Sequence, residues 1–384
     1  MATGAPPARR QAAVLVAAAA LASVLLAITA GGGWRMATLF VLGVLLGLTL
    51  YLTAFGFSSA YRNLLARGET APVRAQLLML AIATLMFAPV LSSGSVFGRE
   101  VVGALAPVGL QVAIGAFIFG AGMQLAGGCG SGTLYTAGGG SPRMLIVLAA
   151  FIAGSFWASL HMGWWQRLPA GGELALGDMV GWPAAVALQL VILAVLWKLL
   201  AKVRRRDSAA PPASADALAQ ARLWFLGAAL LAVLNFLVLI VAGHPWSITW
   251  AFALWGAKSA MVLGWDPATA LFWDGGFQRQ ALQTGVLHDV TTVMDIGIML
   301  GALAAAGWSG RFVPRLNLPL RSLAAAVIGG VTMGYGARIA YGCNIGAFFS
   351  GVASTSLHGW LWIAAALAGC WVGMRLRPRF GLEI

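Results

Sequence analysis

The sequence predicts an all-α polytopic membrane protein made of two inverted repeats with short re-entrant helices. Three observations lead there. Of the 384 residues, 60% are hydrophobic and only 9% charged, with a mean hydropathy of +0.87, whereas a soluble domain carries about 25% charged residues. The apolar runs are long enough to cross a bilayer as helices, in which the backbone satisfies itself; they are not the short alternating strands of a barrel. Finally, one Gly-rich cysteine stretch occurs twice. Gly120–Gly132 contains Cys129 and Gly334–Gly346 contains Cys343, and the same offset of 214 residues pairs Gly122 with Gly336, Ala126 with Ala340 and Gly128 with Gly342. An apolar helix follows each copy, with Ser155 in the first and Cys370 in the second.

Taken in order, residues 1–35 read as an N-terminal anchor. Arg9 and Arg10 precede an apolar run over 12–29, which fits an uncleaved first helix better than a signal peptide. Residues 36–203 form the first repeat plus a connecting helix, with runs at 36–55, 75–91, 104–126, 144–160 and 182–200. A polar linker with Pro211-Pro212 covers 204–221. The second repeat, 222–384, has runs at 222–242, 286–306, 322–341 and 358–374.

The stretch 247–263 is apolar but broken by Gly256 and Lys258. Read as re-entrant, it puts the basic clusters Arg62–Arg74, Lys198–Arg206, Arg311–Arg321 and Arg375–Arg379 on one side, as the positive-inside rule prefers. Phe55–Ala60, which includes Ser58, is its counterpart in the first half. The same topology brings Cys129 in from the cytoplasmic side and Cys343 from the opposite face. The halves are then inverted, and a site is expected near the midplane where their broken helices meet. The net charge of +13 reads as membrane anchoring and attraction of an anion rather than binding of nucleic acid.

A cysteine in a Gly-rich break offers a weak S–H donor and a polarizable sulfur. Its glycine neighbours let a ligand approach the backbone, and helix N-termini favour anions. The candidate site is therefore Cys129, Cys343, Gly128, Gly130, Gly342 and Asn344, suited to a small, soft, sulfur-bearing anion. The competing reading is that these small residues only let helices pack. Lys258 is a charge inside a membrane segment and so a candidate ligand, with an interfacial position as the alternative. Arg338 is either path-lining or an interfacial anchor, and Cys370 and Ser58 are weaker candidates. Asp289 and Asp295 fall in a spanning run and can pair with a cation or carry a proton. His161, His244, His288 and His358 form no i, i+4 metal pair, and the three cysteines form no CxxC. No metal or cofactor motif is present. An enzyme is not expected, although a membrane thiol-disulfide enzyme and a scaffold for a sulfur-carrier protein stay open as alternatives.

The run Gly-Met-Gln-Leu-Ala-Gly-Gly-Cys-Gly-Ser-Gly-Thr-Leu-Tyr at 122–135 resembles the first signature of the YeeE/YedE sulfur-transport membrane proteins. Met333–Gly351, followed by Ser356-Leu357-His358-Gly359-Trp360, resembles the second. The resemblance implies thiosulfate uptake across the inner membrane by an hourglass-like helical fold, in which cysteines hand the anion along by S–H···S hydrogen bonds. Cys129 and Cys343 match the signature cysteines. The family's characterised type has a further cysteine in the first re-entrant stretch, where this chain has Ser58 and Ser59, so Cys370 takes no role from the resemblance. Some members are assigned to selenium compounds. Others are linked to a TusA-like sulfur-carrier protein, which would here be a separate partner.

Overall fold

The computed structural model describes residues 8–203, 215–314 and 316–384; the linker core and Arg315 lie outside them. Helices α1 (Ala8–Gly31), α2 (Trp34–Thr53), α3 (Phe57–Arg67) and α4 (Ala71–Ser93) come first. A β1–β2 hairpin (Ser95–Val96, Arg99–Glu100) and β3 (Pro107–Gly109) lead to α5 (Leu110–Ala126), the short α6 (Gly130–Gly138) and α7 (Pro142–Ser159). The small helix α8 (Met162–Trp165), β4 (Ala170–Glu173), which pairs with β3, and α9 (Leu176–Val180) precede α10 (Trp182–Lys202). The second half has α11 (Ala215–Ala242), α12 (Thr249–Val262), α13 (Gly276–Gln283), α14 (Val290–Trp308) and α15 (Leu320–Ile339). It closes with a π-helical segment Asn344–Ser350, α16 (Gly351–Ala353) and α17 (Leu357–Leu376).

The chain is a multi-pass membrane protein. Among the described residues nine helical stretches are long and apolar enough to cross a bilayer, and α15 with the segment Asn344–Ala353 passes as a pair bent by 41°. At 14 residues, or about 21 Å, α12 is too short to cross alone. Several ends differ from the sequence-based bounds for local reasons. The expected run 286–306 starts as a helix only at Val290, because Asp289 caps it by accepting from the Thr292 N–H at 2.8 Å. Residues 215–221 already belong to α11.

Small residues set the packing, since backbone approaches are how membrane helices gain contact. At the α2–α14 crossing a β-carbon on Gly43 would stand 2.5 Å from the Met294 carbonyl oxygen, and one on Gly47 would overlap that of Ile298. The rising pairs 43/294 and 47/298 make these helices parallel. On α5 and α15, Gly115 meets Ile339 and Ala340, Gly122 meets Met333, and Gly329 meets Ala126; the pairing runs in opposite senses, so the two cross antiparallel. α5 also runs parallel to α17, with Phe117 against Gly369 and Ala121 against Gly373.

Arginines close helix C-termini at both ends of the bundle, and at the strand end Arg35 donates to Val241 O at 2.8 Å and to Ala242 O, closing α11. At one end lie the short strands and helices, joined by Val102 N–H to Gly243 O and Leu176 N–H to Thr355 O, both 2.9 Å. At the other end arginines cap the carbonyls that close α5. Arg143 donates to Leu125 O at 3.1 Å and to Ala126 O, and Arg377 donates to Gln124 O, pairing positive charge with a helix C-terminus.

Candidate functional site

Both cysteine stretches fold the same way. α5 stops at Ala126 because Gly127 adopts a left-handed φ of 83°, and α15 stops just before the left-handed Tyr341. In each copy the cysteine is then the N-cap of the next short helix. Cys129 (φ −88°, ψ −169°) accepts from the Gly132 N–H at 3.4 Å, and Cys343 (φ −108°, ψ −165°) from the Ile345 N–H at 3.5 Å. The Cys129 sulfur also lies 3.4 Å from the Ser131 hydroxyl. Each thiol thus sits at the positive end of a helix, at 1% and 0% exposure.

The fold brings the two copies into contact. A β-carbon on Gly130 would stand 3.1 Å from the Cys343 sulfur, and one on Gly342 would stand 2.7 Å from Ala347 N. Asn344 follows Cys343 and donates to the Tyr61 hydroxyl at 3.4 Å, leaving its own carbonyl oxygen unpartnered. Ser58 donates to Met123 O at 3.2 Å, and Gln124 donates to Ser58 O at 3.1 Å. Gly56–Ser59 and Gly127–Cys129, with Tyr135, enclose a niche of about 30 Å³, room for only one or two water molecules.

A larger cavity of about 480 Å³ is lined by His244, Ser247, Trp250, Gln280, His288 and Asp289 among others. Its Ser247 hydroxyl would stand 3.4 Å from a β-carbon on Gly346, so the cavity abuts the second cysteine segment. The break before α12 is held by Asn235, whose carbonyl oxygen accepts from Trp246 N–H at 2.8 Å, and by Ser350, which donates to Trp246 O at 2.8 Å.

Cys129, Cys343, Gly128, Gly130, Gly342, Asn344 and Ser58 therefore converge, and Cys370 stands just behind them. It is buried on α17, where its thiol meets the Gln124 side chain. Lys258 and Arg338 lie elsewhere. The Lys258 ammonium donates to Leu282 O at 2.8 Å and Thr284 O at 2.6 Å, tying α12 to α13. The Arg338 guanidinium lies 5.2 Å from the centre of the Phe272 ring. Lys258→Met is accordingly expected to loosen the α12–α13 join, lowering the unfolding temperature of the purified protein, with little change in anion preference. Among the described residues no three His, Cys, Asp or Glu side chains gather to hold a metal ion.

Sequence reasoning missed Gln124, Tyr61, Asn235 and the cavity wall. A glutamine or asparagine inside an apolar helix was the available signal for two of them, because a buried amide needs a partner.

The chain matches the sulphur-transport family over residues 52–372, a span containing both cysteine segments. It belongs to the sulphur-transport family. This sulphur-transport protein is 26% identical over 355 residues to the thiosulfate transporter TsuA of Spirochaeta thermophila, covering 86% of this chain and 96% of the relative. It is 27% identical over 274 residues to TsuA of Escherichia coli (68% and 73%), and 34% identical over 146 residues to the probable transporter YedE of that organism (38% and 35%). The match to YedE therefore spans about a third of either chain. These relatives are named as transporters.

Proposed function

We propose that this protein takes up thiosulfate, or a close sulfur or selenium anion, across the cytoplasmic membrane through a path lined by Cys343 and then Cys129. The observation that carries this reading is that two equivalent N-capping thiols come together, Cys343 against Gly130 beside Cys129, with Cys129 lining the 30 Å³ niche and the 480 Å³ cavity abutting the Cys343 segment. An anion leaving the cavity passes Ser247, reaches the Cys343 thiol at the N-terminus of Asn344–Ser350, and then meets Cys129 and the start of α6. The glycines at 130 and 342 keep β-carbons out of that route. The niche is too small for the anion, so passage requires α3 and the Gly127–Cys129 turn to separate briefly. The two halves act as inverted repeats, 36–203 and 222–384, with the basic end of the bundle facing the cytoplasm, where a TusA-like carrier would collect the sulfur. Reporter fusions after Arg311 and after Arg379 should give the same side; opposite sides would remove the inverted arrangement.

Growth tests the function directly. A host unable to make thiosulfate-independent sulfur compounds, expressing this chain, should grow on thiosulfate and not on sulfate; failure on thiosulfate at confirmed expression rejects the reading. Selectivity follows from the lining. Sulfate and thiosulfate differ by one terminal sulfur, which is softer and more weakly hydrated, and a route of thiols and glycine backbone replaces sulfate's hydration poorly. One or two unmade hydrogen bonds amount to about 3 kcal/mol, roughly a hundredfold. Cys129→Ser is expected to weaken thiosulfate uptake without gaining sulfate uptake. Sulfate competing as well as unlabelled thiosulfate against the unmodified protein would refute this.

A further inference from the structure

Asp295 lies in the middle of α14 at 0% exposure, and neither carboxylate oxygen has a hydrogen-bond partner. An ionised carboxylate without partners in a membrane interior is strongly disfavoured. Its surroundings connect it to both openings. A β-carbon on Gly138 of α6 would overlap the Met299 carbonyl, and Asp295, one turn earlier, shares that face of α14. Cys129 caps that same helix α6, whose first residue, Gly130, lies against the Cys343 sulfur. Toward the cavity, Asp289 stands six residues earlier on the same chain, about 9 Å along the axis, and lines the cavity beside His244 and His288.

The charged and titratable groups around Asp295 are few. α2 meets α14 through Phe40, Gly43 and Gly47, and α1 meets it at Gly307 through Val14 and Leu15. α6 carries Tyr135 as its titratable group. On α12, Trp255 donates to Thr292 at 3.0 Å, and the Lys258 ammonium is already bound to two carbonyls. Asp289 is fixed as a helix cap, with Trp250 donating to it at 2.9 Å. Among the described residues no cation is therefore positioned to neutralise Asp295, and the short helix packed against its face of α14 is the one that Cys129 caps.

Resting on the uptake reading above, we propose that Asp295 is a proton-binding site that couples inward movement of the anion to entry of one proton. As a neutral acid it donates its O–H toward an anion held at Cys343; ionised, it would repel that anion. Anion and proton therefore bind together. The proton enters from the cavity past Asp289, sits on a carboxylate oxygen of Asp295 while the anion is at Cys343, and leaves to the cytoplasm with it. No bond other than the O–H is made or broken.

Two measurements on the full chain test this. In infrared difference spectra of the purified protein in lipid, with and without thiosulfate, a protonated-carboxyl band should respond to the anion, disappear in Asp295→Asn and move in Asp295→Glu. In proteoliposomes the thiosulfate accumulation ratio should rise about tenfold for each unit by which the outside is more acidic, the value for one coupled proton, and Asp295→Asn should be insensitive to the gradient. The proposal is overturned if no band depends on residue 295, or if the unmodified protein accumulates thiosulfate independently of the gradient. If the unmodified protein moves no thiosulfate at all, the uptake reading fails, and the infrared band alone decides whether Asp295 holds a proton.

Discussion

Cys129→Ala and Cys343→Ala are each expected to cut thiosulfate uptake by roughly ten- to a hundredfold at equal expression, as measured with labelled anion in cells or proteoliposomes. Each thiol caps the N-terminus of a short buried helix, accepting from a backbone N–H there and leaving its S–H as a donor for the anion, and little else near it can replace the anion's lost hydration. A hydrogen bond to a charged group in such a place is worth about 1.5–3 kcal/mol, and leaving it unmade raises the barrier for every ion that passes. Because the thiols act in succession, losing either interrupts the same route, and the double variant should be little worse than a single one. Cys370→Ala should retain most of the uptake, since its thiol faces Gln124 from behind the niche rather than lining it. Near-normal uptake by both Cys129→Ala and Cys343→Ala would remove the sulfur-lined route altogether.

Gly120→Val is expected to abolish folding rather than transport. At the α5–α17 crossing a β-carbon on Gly120 would overlap the Ala366 carbonyl oxygen and stand 3.0 Å from Cys370 N, and Gly369 is pressed as closely against Phe117 from the other helix. Both obstacles are backbone, so neither can rotate away. Overpacking in a core commonly costs about 1–3 kcal/mol, and here relief requires moving whole helices that also support both cysteine segments. The protein should be lost from the membrane fraction or aggregate on size exclusion. Gly31→Ala, with nothing within 4 Å of the new carbon, is the matched control and should leave yield and elution unchanged. A monodisperse Gly120→Val protein of normal yield would show that the crossing yields more readily than its geometry indicates.

How much of this was legible in the sequence depended on range. The spanning helices were, because bilayer thickness fixes their length and burial needs only apolar residues; α2, α4, α7, α10 and α17 start or stop within a few residues of the expected runs. The paired cysteines were legible because the duplication repeats a local construction of helix stop, glycine and capping thiol. The contact between them was not. It depends on the antiparallel crossing of α5 and α15, which places Gly130 beside Cys343 through residues distant in the chain. Lys258 stood out as a charge in an apolar run, yet its carbonyl partners Leu282 and Thr284 belong to a segment whose return to α12 no local pattern announces. Conversely, Tyr61 looks ordinary in sequence, and only packing brings it to Asn344 beside the second thiol.

The narrow niche beside Cys129 has a consequence for the cell's energy supply. A permanent file of water between the two openings would conduct protons and dissipate the electrical gradient that the membrane maintains. A dianion drawn inward against that gradient already faces about 4.6 kcal/mol per 100 mV, so a leak would undermine the very force needed to accumulate it. With room for about one or two waters at the constriction, the closed protein insulates. On the proposed uptake route, conduction is then restricted to brief openings that admit one anion at a time, on the microsecond-to-millisecond scale of helix displacement, and a protein so built stays in an energised membrane without discharging it when no sulfur source is present.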